Sequence, residues 1–376
     1  MKKIQMVDLG SQYQHIKNDV DQALMDVVSS AQFINGPDVK SFQNELANYL
    51  GVKHVITCAN GTDALQIAMM GLGLKPGDEV ITPSYTYIAT TEVIGLLGLK
   101  PVFVDCEADT FNISPAAIKK AITKRTKAIV PVHLYGQSCD MQQIMQIAQE
   151  NNLFVIEDNA QAIGCDYTMN GKTLKTGTIG DVGCTSFFPS KNLGCFGDGV
   201  ALFTNNDSLA EQLRMIANHG QSKKYYHDRV GCNSRLDTLQ AAVLRIKLRE
   251  LDNYIVRRNK AAEFYDQAFS SYEELTVPKR AKNSNHVFHQ YTLQLSDNIN
   301  RDELVNFLSK KNIPAMVYYP VPAHKQKMFS TLEIACGNLE NTNWLTSRVI
   351  SLPMHTELSL EQQEYIVETI KEFINK

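Results

Sequence analysis

Apolar residues in this chain follow two different periods, and their alternation gives the first outline of a fold. From residue 52 onward, short β-rich runs exchange with stretches of helical spacing. His54-Val55-Ile56-Thr57-Cys58 reads as a strand, and Leu65, Ala68, Met69 and Leu72 then mark one face of a helix over 62–72. Residues 79–82 repeat the strand pattern and 89–97 the helical one. Further strands are expected at 101–105, 128–132 and 153–157, with a helix over 140–151 between the last two. Ser114, ahead of Pro115, reads as an N-cap with proline in the first turn. The strand runs are nearly all apolar, as strands buried on both faces are. The series therefore predicts an α/β fold built from βαβ units, with a large, mostly parallel sheet carrying helices on both faces.

Beyond Asp158 the pattern changes. Tyr167 to Lys175, centred on Asn170-Gly171, reads as a β-hairpin, and Val200 to Thr204 as the last strand of the large sheet. A long helical stretch runs from about Leu236 to Phe269, with apolar positions at Leu239, Val243, Ile246, Leu251 and Ile255. Val287 to Leu295 alternates like a half-buried strand, and helices are expected over 301–311 and 359–374. The predicted division is an N-terminal helical segment (1–50) packing on a large domain (51–235), a connecting helix (236–274) and a smaller C-terminal α+β domain (275–376). No internal repeat or low-complexity segment interrupts it.

Composition narrows the class. A chain of 376 residues suits one large domain plus a smaller one, and 44% hydrophobic with 20% charged residues is ordinary for a globular protein. A net charge of −3 argues against general affinity for nucleic acid. No uninterrupted apolar run reaches membrane-spanning length, and residues 1–8 lack the apolar core of a signal peptide, so a cytoplasmic protein without membrane association is expected. The eight cysteines form no CxxC pair and are expected to be reduced and mostly buried, with no metal site.

Candidate chemistry centres on Lys191. It follows the strand-like run Thr185-Ser186-Phe187-Phe188 and precedes Gly194, Gly197 and Gly199. Such a setting suits an amine that must form an imine, although a lysine in a glycine-containing surface loop fits the local sequence as well. Asn60-Gly61-Thr62-Asp63 lies where a strand turns into a helix, whose N-terminal N–H groups can hold a phosphate; a plain N-cap is the other reading. Asp158 ends an apolar strand, where a carboxylate can keep a ring nitrogen protonated or cap the next segment, and Gln161 follows within reach of the same ligand. Tyr87, just past another strand end, can stack on a flat cofactor or pack in the core. A phosphate cup, a stacking ring, a carboxylate and a lysine in this chain order together specify pyridoxal 5′-phosphate.

Ser186-Phe187-Phe188-Pro189-Ser190-Lys191 with Gly197-Asp198-Gly199 resembles the DegT/StrS family of sugar aminotransferases, which are fold-type-I, pyridoxal-phosphate-dependent enzymes. Residues 60–65, 131–137, 157–161, 233–237 and 319–322 extend the resemblance over nearly the whole chain. By that resemblance Lys191 would carry the imine and shuttle the proton, Asp158 would pair with the pyridine nitrogen, and Gln161 would contact the phenolic oxygen. Gly61, Thr62, Asp63 and Ser186 would surround the phosphate, and Tyr87 would stack on the ring. Asn233 would reach the phosphate of a neighbouring subunit, which implies a homodimer with shared active sites. The implied reaction moves the amino group of L-glutamate, leaving 2-oxoglutarate, through pyridoxamine phosphate to a nucleotide-linked keto sugar by ping-pong kinetics.

Within that family the string Cys58 to Ile67, with His219 to Gln221 and Arg229 to Gln240, is most similar to aminotransferases of UDP-2-acetamido-2-deoxy-3-oxo sugars, notably the uronic acid. Their resemblance implies a 3-keto substrate and a place in amino-sugar biosynthesis, with lipopolysaccharide (lipid A or O-antigen), capsule and antibiotic sugars all open as destinations. The substrate side would comprise Ala31, Phe33, Ser190, Arg235, Tyr318, Tyr319 and His324. The chain departs from the family's usual residues at Tyr318, Ala31, Phe33, Asn192 and Val200. A dTDP-linked 3-oxo- or 4-oxo-6-deoxyhexose aminotransferase and a catalytically silent regulatory protein on the same fold are the alternatives.

Overall fold

The computed structural model describes residues 2–375. Two helices, α1 (Leu9–Ser30) and α2 (Pro37–Leu50), come first. Asp8 caps α1 by accepting from the Ser11 N–H at 2.9 Å, and Pro37 opens α2. Strands and helices then alternate: β1 (His54–Cys58), α3 (Gly61–Gly71), β2 (Glu79–Pro83), α4 (Ala89–Leu96), β3 (Lys100–Val104), α5 (Pro115–Ala121), β4 (Thr126–Ile129), α6 (Met141–Asn151) and β5 (Phe154–Asp158). A hairpin of β6 (Asp166–Met169) and β7 (Lys172–Lys175) turns at Asn170 (φ 51°) and Gly171 (φ 75°), the positive-φ pair that a tight hairpin needs. Next come β8 (Val182–Ser186), β9 (Val200–Thr204), α7 (Asp207–Ala217), a short hairpin of β10 (Gln221–Lys223) and β11 (Tyr226–His227), and α8 (Thr238–Phe269). The remainder is β12 (Leu275–Thr276), β13 (Tyr291–Leu295), α9 (Arg301–Lys310), β14 (Ala335–Cys336), α10 (Glu340–Arg348), β15 (Val349–Leu352) and α11 (Leu360–Ile374).

Eight strands form one sheet in the order β1-β9-β8-β5-β4-β2-β3-β14. Only β9 runs against its neighbours β1 and β8; every other neighbouring pair is parallel. The carboxyl ends of the parallel strands therefore share one edge, and the loops after them are gathered there. Alternation along each strand fills both faces. Ile56, Val80, Ile156 and Leu202 pack toward α3, α4 and α7, while Ile81, Val102, Ile129 and Val155 pack toward α5 and α6. Each such side chain contributes about 1.5–3 kcal/mol of burial, which is why the runs are apolar throughout. Over β1 and β9 lie Phe42 and Leu46 of α2 with Leu244, Leu248 and Leu251 of α8.

The helix α8 is 32 residues long, about 48 Å at the usual rise. Its far end, with Ala262, Tyr265 and Phe269, enters a second core with Leu293, Leu304, Ile350 and Ile366 around the antiparallel sheet β12-β13-β15. No helix among the described residues is long and apolar enough to cross a membrane.

Three expectations need correction. Val200–Thr204 is not the last strand of the large sheet: β14 pairs Ala335 with Val102 and Cys336 with Phe103 at the far edge. A two-residue strand carries no readable period. Residues 287–290 lie outside β13, and all five residues of β13 are buried rather than alternate ones. Its polar face is covered because Thr292 shares a 2.7 Å hydrogen bond with Ser351 and Gln294 donates to the Ala108 carbonyl at 2.7 Å. Ser114 occupies the N-cap of α5, but its side chain makes no capping bond.

Candidate active site

The loops after β1, β2, β5 and β8 enclose a cavity of about 500 Å³ at the carboxyl edge of the large sheet. Its wall begins at the start of α3. Asn60 caps this helix by accepting from the Asp63 N–H at 3.0 Å. The first two helical N–H groups, those of Gly61 and Thr62, have no hydrogen-bond partner among the described residues, and both residues line the cavity. Ser186, at the end of β8, packs against them: a Cβ on Gly61 would lie 3.5 Å from that of Ser186. Two free amides at the positive end of a helix dipole and the hydroxyls of Thr62 and Ser186 form an anion cup.

Asp63 was expected in this cup but does not line the cavity. Its carboxylate accepts from the Ser234 hydroxyl at 2.6 Å, and Ser234 accepts from the Ala59 N–H at 2.9 Å. One residue along a helix turns the side chain by about 100°, enough to send Asp63 away from the wall that Thr62 faces.

Asp158 ends β5, is 5% exposed, and forms part of the cavity wall. Its Oδ2 accepts from the Thr90 hydroxyl at 2.8 Å and its Oδ1 from the Ala160 N–H at 3.1 Å. Burial raises its pKa from the ordinary carboxylate value; the bonds from Thr90 and Ala160 and the charge of Lys191 oppose that rise. Lys191 lies in the turn after β8, half-buried, with its N–H bonded to the Phe188 carbonyl at 2.8 Å. Burial lowers its amine to about 8 even though Asp158 pulls the other way. An amine tuned in this way is nucleophilic near neutral pH.

Gln161 is held at both ends, accepting from the Tyr135 N–H at 2.7 Å and donating to the Tyr319 hydroxyl at 3.1 Å. Tyr87 stands at the mouth, 57% exposed, its ring centre 6.0 Å from that of Tyr319. Ser190, Tyr318 and Tyr319 also line the wall. The hydroxyls of Tyr85 and Tyr135 both donate to the Tyr318 carbonyl, the first at 2.6 Å.

Other expected substrate-side residues are not brought to this cavity. His324 shares a 2.7 Å hydrogen bond between its Nδ1 and Ser84. Ala31 is the left-handed C-cap of α1, at φ 53°, and Phe33 accepts from the Thr238 N–H at 2.9 Å; both are exposed. Arg235 and exposed Asn233 immediately precede α8. Ile34 pairs with Asp237 just before α8 and Asn233 with Asn218, and Ala31, Phe33, Asn233 and Arg235 all lie outside the cavity wall of their own chain.

Several residues of the wall, and Thr90 bonded to it through Asp158, escaped the sequence reading. Thr90 sits 68 residues before the carboxylate it binds. His289 is buried, and burial together with the charges of Lys191 and Arg258 keeps its imidazole well below the usual value, hence neutral. Its Nδ1 has no hydrogen-bond partner among the described residues. Phe188 and Gln290 complete this side. The hydroxyl pair Thr86 and Thr90, four residues apart at a strand-to-helix turn, was a signal available in the sequence.

This donor set fits pyridoxal phosphate: an amine of lowered basicity for the aldehyde, a carboxylate for the ring nitrogen, a cup for the phosphate, and an aromatic ring at the mouth.

Comparison with known proteins agrees. The sequence model of the "DegT/DnrJ/EryC1/StrS aminotransferase family" matches residues 14–371. A "Pleiotropic regulatory protein" of Geobacillus stearothermophilus is 46% identical over 98% of this chain and 98% of its own. A "UDP-2-acetamido-2-deoxy-3-oxo-D-glucuronate aminotransferase" of Pseudomonas aeruginosa is 44% identical over 94% of this chain and 96% of its own. Transaminases named for dTDP-linked amino sugars also match, at 36% to 40% identity. Among solved structures, DesV of S. venezuelae in complex with a ketimine intermediate superposes with a TM-score of 0.94, at 37% identity and full coverage of both chains.

Proposed function

This chain belongs to the DegT/DnrJ/EryC1/StrS aminotransferase family, whose enzymes use pyridoxal 5′-phosphate, and from that premise we propose its substrate and the roles of its residues. The amino donor is L-glutamate. The acceptor is the 3-keto carbon of UDP-2-acetamido-2-deoxy-3-oxo-glucose or its uronic acid. The observation that carries the reading is one cavity holding a lysine amine lowered to about 8, a buried carboxylate and two unpartnered helix N–H groups. The 44% identity to the Pseudomonas aeruginosa enzyme supports the choice of sugar.

Bound pyridoxal phosphate supplies the electron sink that makes an amino-bearing carbon acidic. The chain's own groups do the rest. Gly61 and Thr62 N–H groups, with the Thr62 and Ser186 hydroxyls, hold the phosphate. Asp158 keeps its negative charge against the ring nitrogen and so retains a proton there. Nζ of Lys191, once free, takes the α-proton of glutamate and later delivers a proton in the return direction. Gln161 hydrogen-bonds the phenolic oxygen while Tyr319 orients its amide. Tyr318, Tyr319 and Ser190 face the sugar. Asn233 and Arg235 lie outside the cavity of their own chain, so we assign them to the site of a second copy.

The test is a panel of UDP- and dTDP-linked keto sugars with L-glutamate as donor. We expect the highest kcat/KM with UDP-linked 2-acetamido-3-keto substrates, and faster turnover of a dTDP-linked 3- or 4-keto sugar would overturn that choice. The similarity to a regulatory protein makes catalytic silence the second reading. Glutamate should bleach the visible colour of the cofactor-loaded protein; an unchanged spectrum would favour silence.

A further inference from the structure

Among the buried hydroxyls near the cavity, Thr90 is unusual in where its proton goes. It lies in the first turn of α4, as does Thr91. Thr91 makes the ordinary local bond, donating to the Ile88 carbonyl at 3.0 Å. Thr90 instead crosses to β5 and donates to Oδ2 of Asp158 at 2.8 Å. An ionised carboxylate has no proton to give, so the direction of this bond is fixed. The neighbouring Thr86 hydroxyl, 3.2 Å from that of Thr90, must then be the donor to Thr90. The result is a one-way chain from Thr86, on the cavity wall, through Thr90 to Asp158. Hydrogen bonds aligned in this way polarise one another.

We propose that Thr90 is a positioning residue for Asp158: its hydroxyl fixes one carboxylate oxygen, holds the negative charge there, and leaves the group aimed at the cavity. This rests on reading Asp158 as the partner of the cofactor's ring nitrogen. The need is physical. Burial favours the neutral acid, and among the groups that oppose it only Thr90 and the Ala160 N–H make hydrogen bonds. The titratable groups around Asp158 are Lys191, His133, Tyr319, Cys184 and Cys139.

The test measures the affinity of the full-length protein for pyridoxal phosphate as a function of pH, by equilibrium dialysis. Thr90→Val keeps the shape and removes the donor. Affinity near pH 8 should fall by about tenfold or more, the scale of a hydrogen bond to a charged group. The acid limb should also move to higher pH, because the charge on Asp158 is lost sooner as pH falls. Thr90→Ser should restore both. Wild-type affinity and an unmoved acid limb in Thr90→Val would overturn the proposal, as would equal damage in Thr90→Ser, which would mean packing alone. Should Thr90→Val fail to fold, Thr86→Val decides: a smaller shift in the same direction supports the chain, and an unmoved limb overturns it. Asp158→Asn separates the two levels. If that variant binds the cofactor as well as wild type, the reading of Asp158 itself fails.

Discussion

At Lys191 two effects compete: burial disfavours the ammonium form, the nearby Asp158 charge favours it, and burial prevails at about 8. The neutral amine therefore predominates above about pH 8 instead of near the ordinary 10.5. In the cofactor-free protein, acylation of Lys191 by an amine reagent, followed by mass spectrometry, should rise with a midpoint near pH 8. Asp158→Asn removes the charge that favours the ammonium, so it should lower the midpoint further, by about one unit. A midpoint close to 10, or one that rises in Asp158→Asn, would contradict this electrostatic picture. The residues from Ser186 to Gly199 made Lys191 a candidate but fitted a surface-loop lysine as well, and only Gly61, Thr62, Tyr87 and Asp158 elsewhere in the chain favoured the imine reading. Its depressed basicity was not legible, because burial depends on segments that fold over the lysine from far along the chain, against the opposing charge of Asp158, 33 residues away.

At the scale of the element, β5 shows how a period of two separates neighbouring acids. Glu157 and Asp158 point to opposite faces. Asp158 meets Thr90 of α4, whereas Glu157 accepts from the N–H groups of Gly177, Ile179 and Gly180 at 2.6–2.8 Å. It also faces Nε2 of His133 at 2.9 Å. Nδ1 of that histidine accepts from the Cys139 N–H at 3.1 Å, so the ring proton lies on Nε2 and points at Glu157. Four donors thus converge on one buried carboxyl group and fix the turn before β8, the strand that ends in Ser186. Glu157→Gln places an NH₂ group among these donors and should destabilise the protein by about 2–4 kcal/mol. Urea unfolding should show a lower midpoint at unchanged slope; a loss below about 0.5 kcal/mol would mean that the turn is held by other contacts. Strand positions were legible because buried parallel strands need continuous apolar runs. The reversed direction of β9 was not, since an apolar run reads the same whichever way it pairs.

For the whole molecule, the cavity is open where Tyr87 and Phe188 stand 57% and 52% exposed, exposed Phe33 and Ile34 lie against the start of α8, and Asn233 is exposed in the segment before it. We propose that two chains share their sites as a homodimer, the arrangement the family resemblance implies. Sedimentation should give twice the 42.1 kDa chain mass. Asn233→Ala should weaken cofactor retention, by roughly threefold to tenfold for one lost hydrogen bond. In mixed dimers of Asn233→Ala with Lys191→Ala chains, one of the two sites would then keep both residues intact and regain activity. Absence of any recovery would place Asn233 in its own subunit's site. By itself the sequence determined the α/β class, the strand ends that carry Gly61, Thr62, Asp158 and Ser186, and the lysine beside them, because each is encoded in a few adjacent residues. Tertiary structure alone decided that Asp63 turns to Ser234, that Thr90 donates to Asp158, that β14 joins the far edge, and that Ala31, Phe33 and Arg235 lie outside their own cavity. Those facts depend on which distant segments come within hydrogen-bonding range, and local spacing holds no record of that.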